Sequence, residues 1–423
     1  MIKVLHITAH VGGGIGSAFI GLGSPDLKQT VILLEEPINK KPISPMEAEG
    51  FRILICPDSS QTYKEIEAAD IVMFSWSHHP AVTKFLYSFP EIPVRSVLWV
   101  HVSGNYFPVV NTEFLRLFDQ VVFTTPYTLS LPEVQSLGSN YACEHFDVVY
   151  GMGDLKDFMN SQRVPHDKFV IGYVGTLNFC KLHPDFINFC AAVDIPNVEF
   201  ALFGDSPTKD ELLQAAEKKG IAGKFKFHGH VDNVPEMLAR MDAFGYLLNP
   251  QHYGATENAL LEAMVAGVPV VALNQCVERY IIQNGVTGLL VQDPEAYAVA
   301  LRSIYEQPDY ALSLASNARN EIKKRYNLED NRKRLLTRFH VALSNDKRQH
   351  CFKTYFGESP SDWFLSAVGS DKDCFLENRA YNAGRIFHEY KKGSPQHYHN
   401  YFSKDERLTL WAQQLKMKRN IIS

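Results

Sequence analysis

The sequence predicts an α/β fold: two doubly wound, parallel-sheet domains that face each other across a cleft, followed by a mainly helical C-terminal extension. Short apolar runs alternate with helical or polar stretches in the first half, and a second alternation begins after a polar, glycine-containing hinge. The chain has 423 residues, more than one ordinary hydrophobic core organises, so two domains are expected.

The first predicted domain covers residues 1–160 and is marked by apolar segments with the length and composition of buried strands. A parallel strand has a continuous run of apolar residues, because crossover helices cover both faces of its sheet. The predicted strands are Lys3–His10, Thr30–Leu34, Arg52–Cys56, Ile71–Ser75, Ser96–His101, Gln120–Thr124 and Phe146–Val149.

The second predicted domain covers residues 161–345, and the C-terminal extension covers 346–423. The hinge, 151–168, is polar and contains glycine, and residues 311–345 have the pattern of two helices. Doubly wound domains bind ligands at the carboxyl ends of their strands, which directs a ligand to the cleft. The predicted strands here are Phe169–Gly175, Val198–Phe203, Lys224–His228, Ala243–Leu248 and Val268–Ala272.

Composition excludes several classes of protein. A net charge of -5 gives no sign of a nucleic-acid-binding protein. The seven cysteines are scattered and include no Cys-x-x-Cys pair, which argues for a reducing compartment and against a zinc site. Because the sequence lacks a long apolar run, we expect a cytoplasmic protein that is at most peripheral on the inner face of a membrane.

The most informative segment is 254–273, GATENALLEAMVAGVPVVAL. Its apolar residues have helical spacing up to Ala266, Gly267 supplies a helix stop, and a short buried strand follows. Glu262 stands inside this helix between apolar neighbours. Its carboxylate therefore either faces solvent or is held for a ligand.

Residues 254–291 resemble the C-terminal half of the nucleotide-sugar glycosyltransferases of family 4, which have the GT-B fold of two Rossmann-like domains. The resemblance rests on Glu262-Ala263-Met264, on Gly267-Val268-Pro269-Val270-Val271, and on Glu278 through Gly285 to Gly288-Leu289-Leu290-Val291. It implies that Glu262 binds the ribose of the donor nucleotide. A carboxylate suits this role because it accepts charge-assisted hydrogen bonds from two vicinal hydroxyls.

The helix start departs from the family pattern. Gly254 stands where the family has its first glutamate, and Glu257 instead lies five residues before Glu262, about 140° around the helix. Glu257 either approaches the sugar from the helix start or only complements the helix dipole. Asn258 does share the face of Glu262. The backbone N–H groups of Thr256, Glu257 and Asn258 suit a phosphate in either case.

A second departure follows the predicted strand Phe169–Gly175. The resembled family usually has an arginine next and a lysine a few residues on, and both cations neutralise the diphosphate. Here Thr176 replaces the arginine, and Lys181 matches the lysine. Lys181 is the expected catalytic cation, because a developing phosphate charge is best stabilised by cations already in place.

A glycine loop follows the first predicted strand, and a helix is expected to begin near Gly16 or Ser17. Glycines let a diphosphate approach backbone N–H groups at a helix start, so Gly13, Gly14 and Gly16 are expected to bind the donor. A tight strand-to-helix turn without a ligand is the alternative.

A dinucleotide-binding loop has a similar glycine-rich sequence after its first strand. Its fingerprint would need glycine or alanine at position 19, where Phe19 stands. Glu35 and Glu36 lie near the expected place of a ribose-binding acid, so an NAD-dependent enzyme stays an alternative.

His101 ends the predicted strand Ser96–His101, at the edge where ligand-contacting residues belong. In the resembled family a histidine at this strand end touches the donor sugar. His101 therefore joins Lys181 and Glu257 as a catalytic candidate, with a purely structural histidine as the alternative.

Neither a metal nor a cofactor is expected beside the nucleotide-sugar donor. The only Asp-x-Asp, Asp371-Lys372-Asp373, lies in a polar segment and not after a strand. The resembled enzymes typically work without a bound metal.

A basic stretch runs from Arg319 to Lys353, with eleven Lys and Arg residues against four Asp and Glu residues. It is either a solvated helix face or a contact with an anionic membrane that carries a lipid-linked acceptor.

Together these features predict a retaining glycosyltransferase that moves a hexosyl group from a UDP- or GDP-sugar to a glycan or glycolipid in cell-surface polysaccharide synthesis. Retention is implied by the resemblance alone. The main alternative is a non-catalytic nucleotide-sugar-binding protein, because Gly254 and Thr176 depart from the family pattern. An NAD-dependent oxidoreductase is the third candidate.

Overall fold

Two parallel sheets organise the computed structural model, which describes residues 1–388 and 393–422. Each sheet lies in its own compact unit. The first unit contains Met1–Gly153, Tyr253–Thr256 and the described part of Leu328–Ser423, and the second contains Asp154–His252 and Glu257–Asn327. The predicted fold of two doubly wound α/β units is confirmed.

The strands of the first unit confirm the predicted strands, with ends that differ by up to three residues. They are β1 (Ile2–Thr8), β2 (Leu27–Leu33), β3 (Phe51–Ile55), β4 (Ile71–Trp76), β5 (Ser96–Val100), β6 (Gln120–Phe123) and β7 (Phe146–Val148). In the described residues they form one parallel sheet in the order β3-β2-β1-β4-β5-β6-β7. The order reverses between β1 and β4, so the carboxyl ends of these strands form a topological switch point.

Helices and loops connect these strands. The helices are α1 (Gly14–Ile20), α2 (Ile43–Ala48), α3 (Ser59–Ala68), α4 (Pro80–Tyr87), α5 (Thr112–Leu115), α6 (Pro126–Leu129), α7 (Pro132–Gln135) and α8 (Ser139–His145). Local chemistry sets several starts. The Asp58 side chain accepts a hydrogen bond from the N–H of Gln61 at 2.8 Å, and Pro80 occupies the first turn of α4, where its missing N–H costs no hydrogen bond.

The second unit repeats this construction. Its strands are β8 (Phe169–Val174), β9 (Val198–Phe203), β10 (Phe225–Gly229), β11 (Ala243–Tyr246), β12 (Val270–Leu273) and β13 (Leu289–Val291), in the order β10-β9-β8-β11-β12-β13. The short strand β13 was not predicted. The order reverses between β8 and β11, so the loops after these strands, 175–185 and 247–257, start from the switch point of this sheet.

The helices of the second unit complete its layers. They are α9 (Lys156–Met159), α10 (Phe186–Ala191), α11 (Lys209–Lys218), α12 (Val234–Leu238), α13 (Asn258–Ala266), α14 (Glu278–Ile281), α15 (Pro294–Glu306) and α16 (Pro308–Arg325), with a short 3-10 helix at Ala222–Lys224. Helices α13 and α16 pack against each other, as do α10 and α15.

The helix α17 (Leu328–Leu343) belongs to the core of the first unit. Its buried residues Leu335 and Phe339 lie in one apolar cluster with Phe19 and Trp99. The predicted second domain, 161–345, includes this helix, whereas in the structure its apolar face is covered by the first sheet. The other predicted domain boundaries stay predictions.

The predicted extension, 346–423, is mainly helical where it is described, and it also packs within the first unit. Phe352 stacks on Phe118 with ring centroids 4.9 Å apart, and the Tyr398 hydroxyl lies 2.9 Å from the Thr83 hydroxyl. Its helices are α18 (Lys353–Phe356), α19 (Pro360–Leu365), α20 (Lys372–Leu376), α21 (Pro395–Tyr401) and α22 (Glu406–Ile422), with 3-10 helices at Gly369–Asp371, Ala380–Asn382 and Arg385–Phe387. Over the described residues, no helix combines the length and apolarity that a membrane crossing requires.

Candidate functional site

Helix α13 has the boundaries that its sequence pattern indicates. Gly267 follows its last residue, Ala266, in the left-handed conformation, with φ 81° and ψ 31°. Arg319 donates hydrogen bonds to the carbonyl oxygens of Val265 at 3.0 Å and Ala266 at 2.6 Å. The helix end is therefore held by a glycine that tolerates positive φ and by a cation on the last carbonyl groups.

Glu257 precedes α13 and is the centre of a buried polar network. Its backbone is left-handed, with φ 53° and ψ 58°, and its side chain is 1% exposed. The Tyr246 hydroxyl donates a hydrogen bond to its carboxylate, and Lys181 Nζ lies 3.6 Å from the same oxygen, Oε2. The carboxylate thus has side-chain contacts that neither sequence-based alternative for Glu257 included.

The other carboxylate oxygen of Glu257 faces His252, which connects it to Glu278. His252 Nδ1 lies 3.7 Å from Glu257 Oε1, and His252 Nε2 lies 3.1 Å from Glu278 Oε1. Gln275 donates a hydrogen bond to Glu278 Oε1 at 3.3 Å. The sequence interpretation missed His252 and Tyr246. The available signal was their position in and after a strand at the switch point of the sheet.

The charges of this network support one another. Burial lowers the pKa of His252, but the carboxylates of Glu278 and Glu257 outweigh it, so the pKa of His252 is raised. Burial raises the pKa of Glu257, yet Lys181, His252 and Tyr246 together hold that pKa below its ordinary value. The two buried carboxylates, of Glu257 and Glu278, are thereby neutralised by two cations, Lys181 and His252.

Lys181 is the part of the network that reaches solvent. It follows β8, and its side chain is 28% exposed while the carboxylate beneath it is buried. Its ammonium group also lies 5.8 Å from the centre of the Tyr246 ring. The predicted catalytic residues Lys181 and Glu257 are therefore in contact, and the cation is presented to solvent by buried partners.

Glu262 and Asn258 lie one turn apart on α13, and both are partly exposed. Burial raises the pKa of Glu262 to about 7, while Lys181 lowers it. The Glu262 carboxyl therefore changes charge near neutral pH, and a ligand that donates hydrogen bonds favours its ionised form.

The glycine loop of the first unit differs from its predicted geometry. Helix α1 begins at Gly14, two to three residues before the predicted start at Gly16 or Ser17, and Gly13 takes positive φ (64°) directly before it. At Gly16 a β-carbon would lie 2.8 Å from the Pro42 side chain, so packing explains this glycine. Gly13 and Gly14 are exposed, and they stay predicted phosphate contacts.

His101 follows β5, with its ring 4.3 Å from the Trp99 ring. Burial lowers the pKa of His101 to about 3, so the imidazole is neutral at pH 7. Its Nε2 atom is buried and has no hydrogen-bond partner among the described residues. That orphaned nitrogen suits a ligand hydroxyl and keeps His101 a candidate.

Thr256 lies in the first unit and uses its side chain within that unit. Its hydroxyl donates to the Thr124 carbonyl at 3.2 Å and accepts from the Gly151 N–H at 3.1 Å. The predicted phosphate contact of Thr256 therefore depends on its backbone N–H alone.

His10, Glu35 and His79 form a group whose ligand atoms lie within 4.8 Å of one another, close enough for a metal ion. Their hydrogen bonds oppose this role. The Gly12 N–H donates to His10 Nδ1 at 2.9 Å, and the Ala81 N–H donates to His79 Nδ1 at 3.3 Å. A metal-binding histidine normally donates from its second nitrogen, whereas both histidines accept there. Metal independence stays a prediction.

Comparison with known proteins classifies this part of the chain. Residues 155–321 match the protein family described as Glycosyl transferases group 1. The matched segment covers less than half of the chain. It contains Lys181, Glu257 and Glu262, together with the buried network beneath Lys181.

Relatives of known name are similar to part of the chain. The 2-deoxystreptamine N-acetyl-D-glucosaminyltransferase of Streptomyces fradiae is 31% identical over 123 residues, 28% of each chain. The N-acetyl-alpha-D-glucosaminyl L-malate synthase of Bacillus anthracis is 25% identical over 47% of this chain and 52% of its own. The chain thus spans about half or less of the length of these curated relatives.

Solved structures extend the likeness to both units. Anabaena Alr3699/HepE in complex with UDP-glucose has a TM-score of 0.64 and 18% identity, covering 80% of this chain and 99% of its own. WaaG, a glycosyltransferase involved in lipopolysaccharide biosynthesis, has a TM-score of 0.52 and 16% identity, with 78% and 98% covered. At this identity the likeness shows the fold, and the predicted GT-B fold of two Rossmann-like units is confirmed.

Proposed function

We propose that the protein is a retaining, family 4 glycosyltransferase that moves a hexosyl group from a UDP- or GDP-sugar to a glycan or glycolipid in cell-surface polysaccharide synthesis. One observation carries the proposal: Lys181 is presented to solvent above the buried carboxylate of Glu257, in the segment that matches the glycosyl transferases group 1 family. The names of the relatives and the UDP-glucose bound to Alr3699/HepE support this choice of donor.

The proposed donor contacts follow from the chemistry of each group. The Glu262 carboxylate accepts hydrogen bonds from the two ribose hydroxyls, and the Lys181 ammonium group neutralises the diphosphate. The N–H of Asn258, at the start of α13, adds a donor to phosphate. Gly13, Gly14, Thr256 and His101 of the first unit stay predicted contacts of the donor.

The proposed reaction is front-face substitution at the anomeric carbon. The bond between that carbon and the diphosphate oxygen breaks, a bond to the acceptor hydroxyl oxygen forms on the same face, and the departing diphosphate takes the hydroxyl proton. Lys181 stabilises the charge that develops on the diphosphate. The proposal needs no metal ion, because this cation and backbone N–H groups supply the positive charge.

A non-catalytic nucleotide-sugar-binding protein is the second candidate. Gly254, where the resembled family has a glutamate, favours it, because the side chain that would contact the sugar is missing. Glu257 does not replace it directly, since its carboxylate is buried among Tyr246, Lys181 and His252.

Two measurements distinguish these functions. A thermal-shift panel of UDP, GDP, their sugar conjugates and NAD(H) identifies the ligand, because a ligand that binds the native state raises Tm. Hydrolysis of the bound sugar nucleotide, or transfer to an added glycan, then separates an enzyme from a binding protein. Stabilisation by NAD(H) alone would contradict the proposal.

The proposal also locates the protein in the cytoplasm or on the inner face of the membrane. Several cations of the basic stretch are held by the protein itself. Arg332 donates to the Gly21 carbonyl at 3.0 Å, Lys347 to the Ala69 carbonyl at 2.7 Å, and Arg348 to Asp119 at 2.5 Å. Exposed cations such as Lys323, Lys324 and Arg334 remain for an anionic surface.

A further inference from the structure

His252 is a buried charged group that none of the proposed donor contacts includes. Its side chain is 1% exposed, and it lies between Glu257 and Glu278, whose side chains are 1% and 0% exposed. Removing three ionisable groups from water is strongly unfavourable unless they compensate one another. An apolar side chain at position 252 would avoid that cost but would leave both carboxylates without this cation.

The position of His252 affects Lys181 through Glu257. His252 lies on Oε1 of the Glu257 carboxylate, while Lys181 and the Tyr246 hydroxyl lie on Oε2. Both oxygens are therefore held, and the carboxylate has a defined orientation beneath Lys181. Without His252, one side of the carboxylate would lose its partner.

The positive charge of His252 also affects how Lys181 attracts a diphosphate. Lys181 and Glu257 alone would form a neutral ion pair, and such a pair attracts a diphosphate weakly. His252 shares the Glu257 charge, so Lys181 retains more of its positive charge toward solvent. Glu278, 3.1 Å from His252 on the side away from Glu257, keeps the buried set neutral.

We propose that His252 is a positioning residue of the donor site: it orients the Glu257 carboxylate and shares its charge, so that Lys181 offers a positive charge to a phosphate group. The inference rests on the proposed function only for the identity of the phosphate ligand. His252 itself is buried and touches no substrate.

The pKa of His252 gives this role a pH dependence. Burial lowers the pKa of His252, and so does Lys181. Glu278 and Glu257 raise this pKa by more. The Tyr246 hydroxyl lies on the far side of Glu257. The imidazole is charged below its raised pKa and becomes neutral as the pH increases through it. Donor affinity should therefore fall as the pH rises above the pKa of His252.

A charge-balance cycle tests the proposal, with UDP and GDP as probes and isothermal calorimetry as the measurement. His252→Gln removes a positive charge and should weaken nucleotide binding about tenfold, with a larger effect on KM than on kcat in a transfer assay. Adding Glu278→Gln removes a negative charge and should restore part of that affinity, but not the wild-type value, because Lys181 and Glu257 then form the neutral pair. His230→Gln is the matched control, because His230 is exposed and pairs with exposed Asp232.

A purely structural role predicts a different pattern. In that case both single variants lose stability, and the double variant binds no better than His252→Gln. That result, or unchanged affinity in His252→Gln, would overturn the proposal. If His252→Gln does not fold, Glu278→Gln alone decides. Glu278 is the carboxylate that most raises the pKa of His252, so its loss should move the fall in nucleotide affinity to lower pH. An unchanged pH profile in Glu278→Gln would overturn the proposal.

A second probe contains no nucleoside. Inorganic pyrophosphate should bind His252→Gln more weakly than the wild type, because the cation that shares the Glu257 charge is lost. Equal pyrophosphate affinity in both proteins would show that His252 does not act on Lys181. A wild-type protein that binds neither UDP nor GDP would contradict the proposed function, and pyrophosphate binding would then decide the role of His252 by itself.

Discussion

Lys181 and Glu257 form an ion pair in which Nζ and Oε2 lie 3.6 Å apart, with the carboxylate buried and the ammonium group partly exposed. The two residues are 76 positions apart in the sequence, yet each depends on the other. Glu257 contacts Lys181 in the loop that follows β8, and Lys181 helps to keep Glu257 ionised inside the protein.

Replacing Lys181 with Gln should weaken UDP or GDP binding by about 2 kcal/mol, because the diphosphate loses a charge-assisted partner. Isothermal calorimetry measures the affinity. Lys226→Gln, at an exposed position of β10, is the control and should bind as the wild type does. Equal affinity in Lys181→Gln and the control would show that Lys181 does not bind the donor.

Replacing Glu257 with Gln should lower the free energy of unfolding by about 3 kcal/mol, since the charges of Lys181 and His252 lose their common partner. Urea denaturation measures it, with Glu236→Gln as the control, because Glu236 is exposed and its side-chain partners, Arg240 and Asn233, are exposed as well. If the free energy of unfolding falls by under about 1 kcal/mol, Glu257 only complements the helix dipole.

Glu262 should make stability depend on pH. Its pKa in the folded protein, about 7, lies above its ordinary value of 4.5. The folded state therefore binds the proton more tightly, and this contribution is complete below pH 4.5 and is lost as pH rises through 7. Because the side chain is partly exposed, we expect about 1–2 kcal/mol between pH 5 and pH 8. Urea denaturation of Glu262→Gln should lack this change, whereas Glu295→Gln, at an exposed position, should retain it.

Nucleotide affinity should change with pH in the opposite direction. Ribose hydroxyls donate to the ionised carboxylate, so binding should strengthen as pH rises toward and past 7, until the loss of charge on His252 opposes it. Glu262→Ala should weaken binding by about 2 kcal/mol and abolish the increase of affinity with pH. If affinity still increases with pH in Glu262→Ala, another ionisable group causes that increase.

Vesicle binding tests the membrane contact. If the exposed cations meet an anionic surface, the protein should co-sediment with vesicles of anionic lipid at low salt and be released at 1 M salt, where screening shortens to about 3 Å. Replacing Lys323, Lys324 and Arg334 with Gln should weaken binding by about 1 kcal/mol per charge. Wild-type protein that stays in the supernatant at low salt would identify these residues as a solvated helix face.

Local patterns determined much of the fold. The strand positions follow from apolar runs, and the end of α13 follows from Gly267, because burial of a parallel strand and positive φ are properties of a few neighbouring residues. The start of α1 was predicted two to three residues late, since three adjacent glycines give no local signal for the first helical residue. The place of α17 in the first unit was also missed, because an amphipathic helix does not specify which apolar surface covers it.

The sequence by itself determined the two-sheet architecture, the helix that carries Glu262 and the position of Lys181 after a strand. The tertiary structure alone decided that Lys181, Tyr246 and His252 converge on Glu257, and that Glu278 lies on the far side of His252. These residues come from separate elements, and spacing along a chain encodes only contacts within a turn or a strand pair. Whether a charge is buried and balanced depends on the groups that folding brings beside it, and here those groups lie up to 97 residues apart.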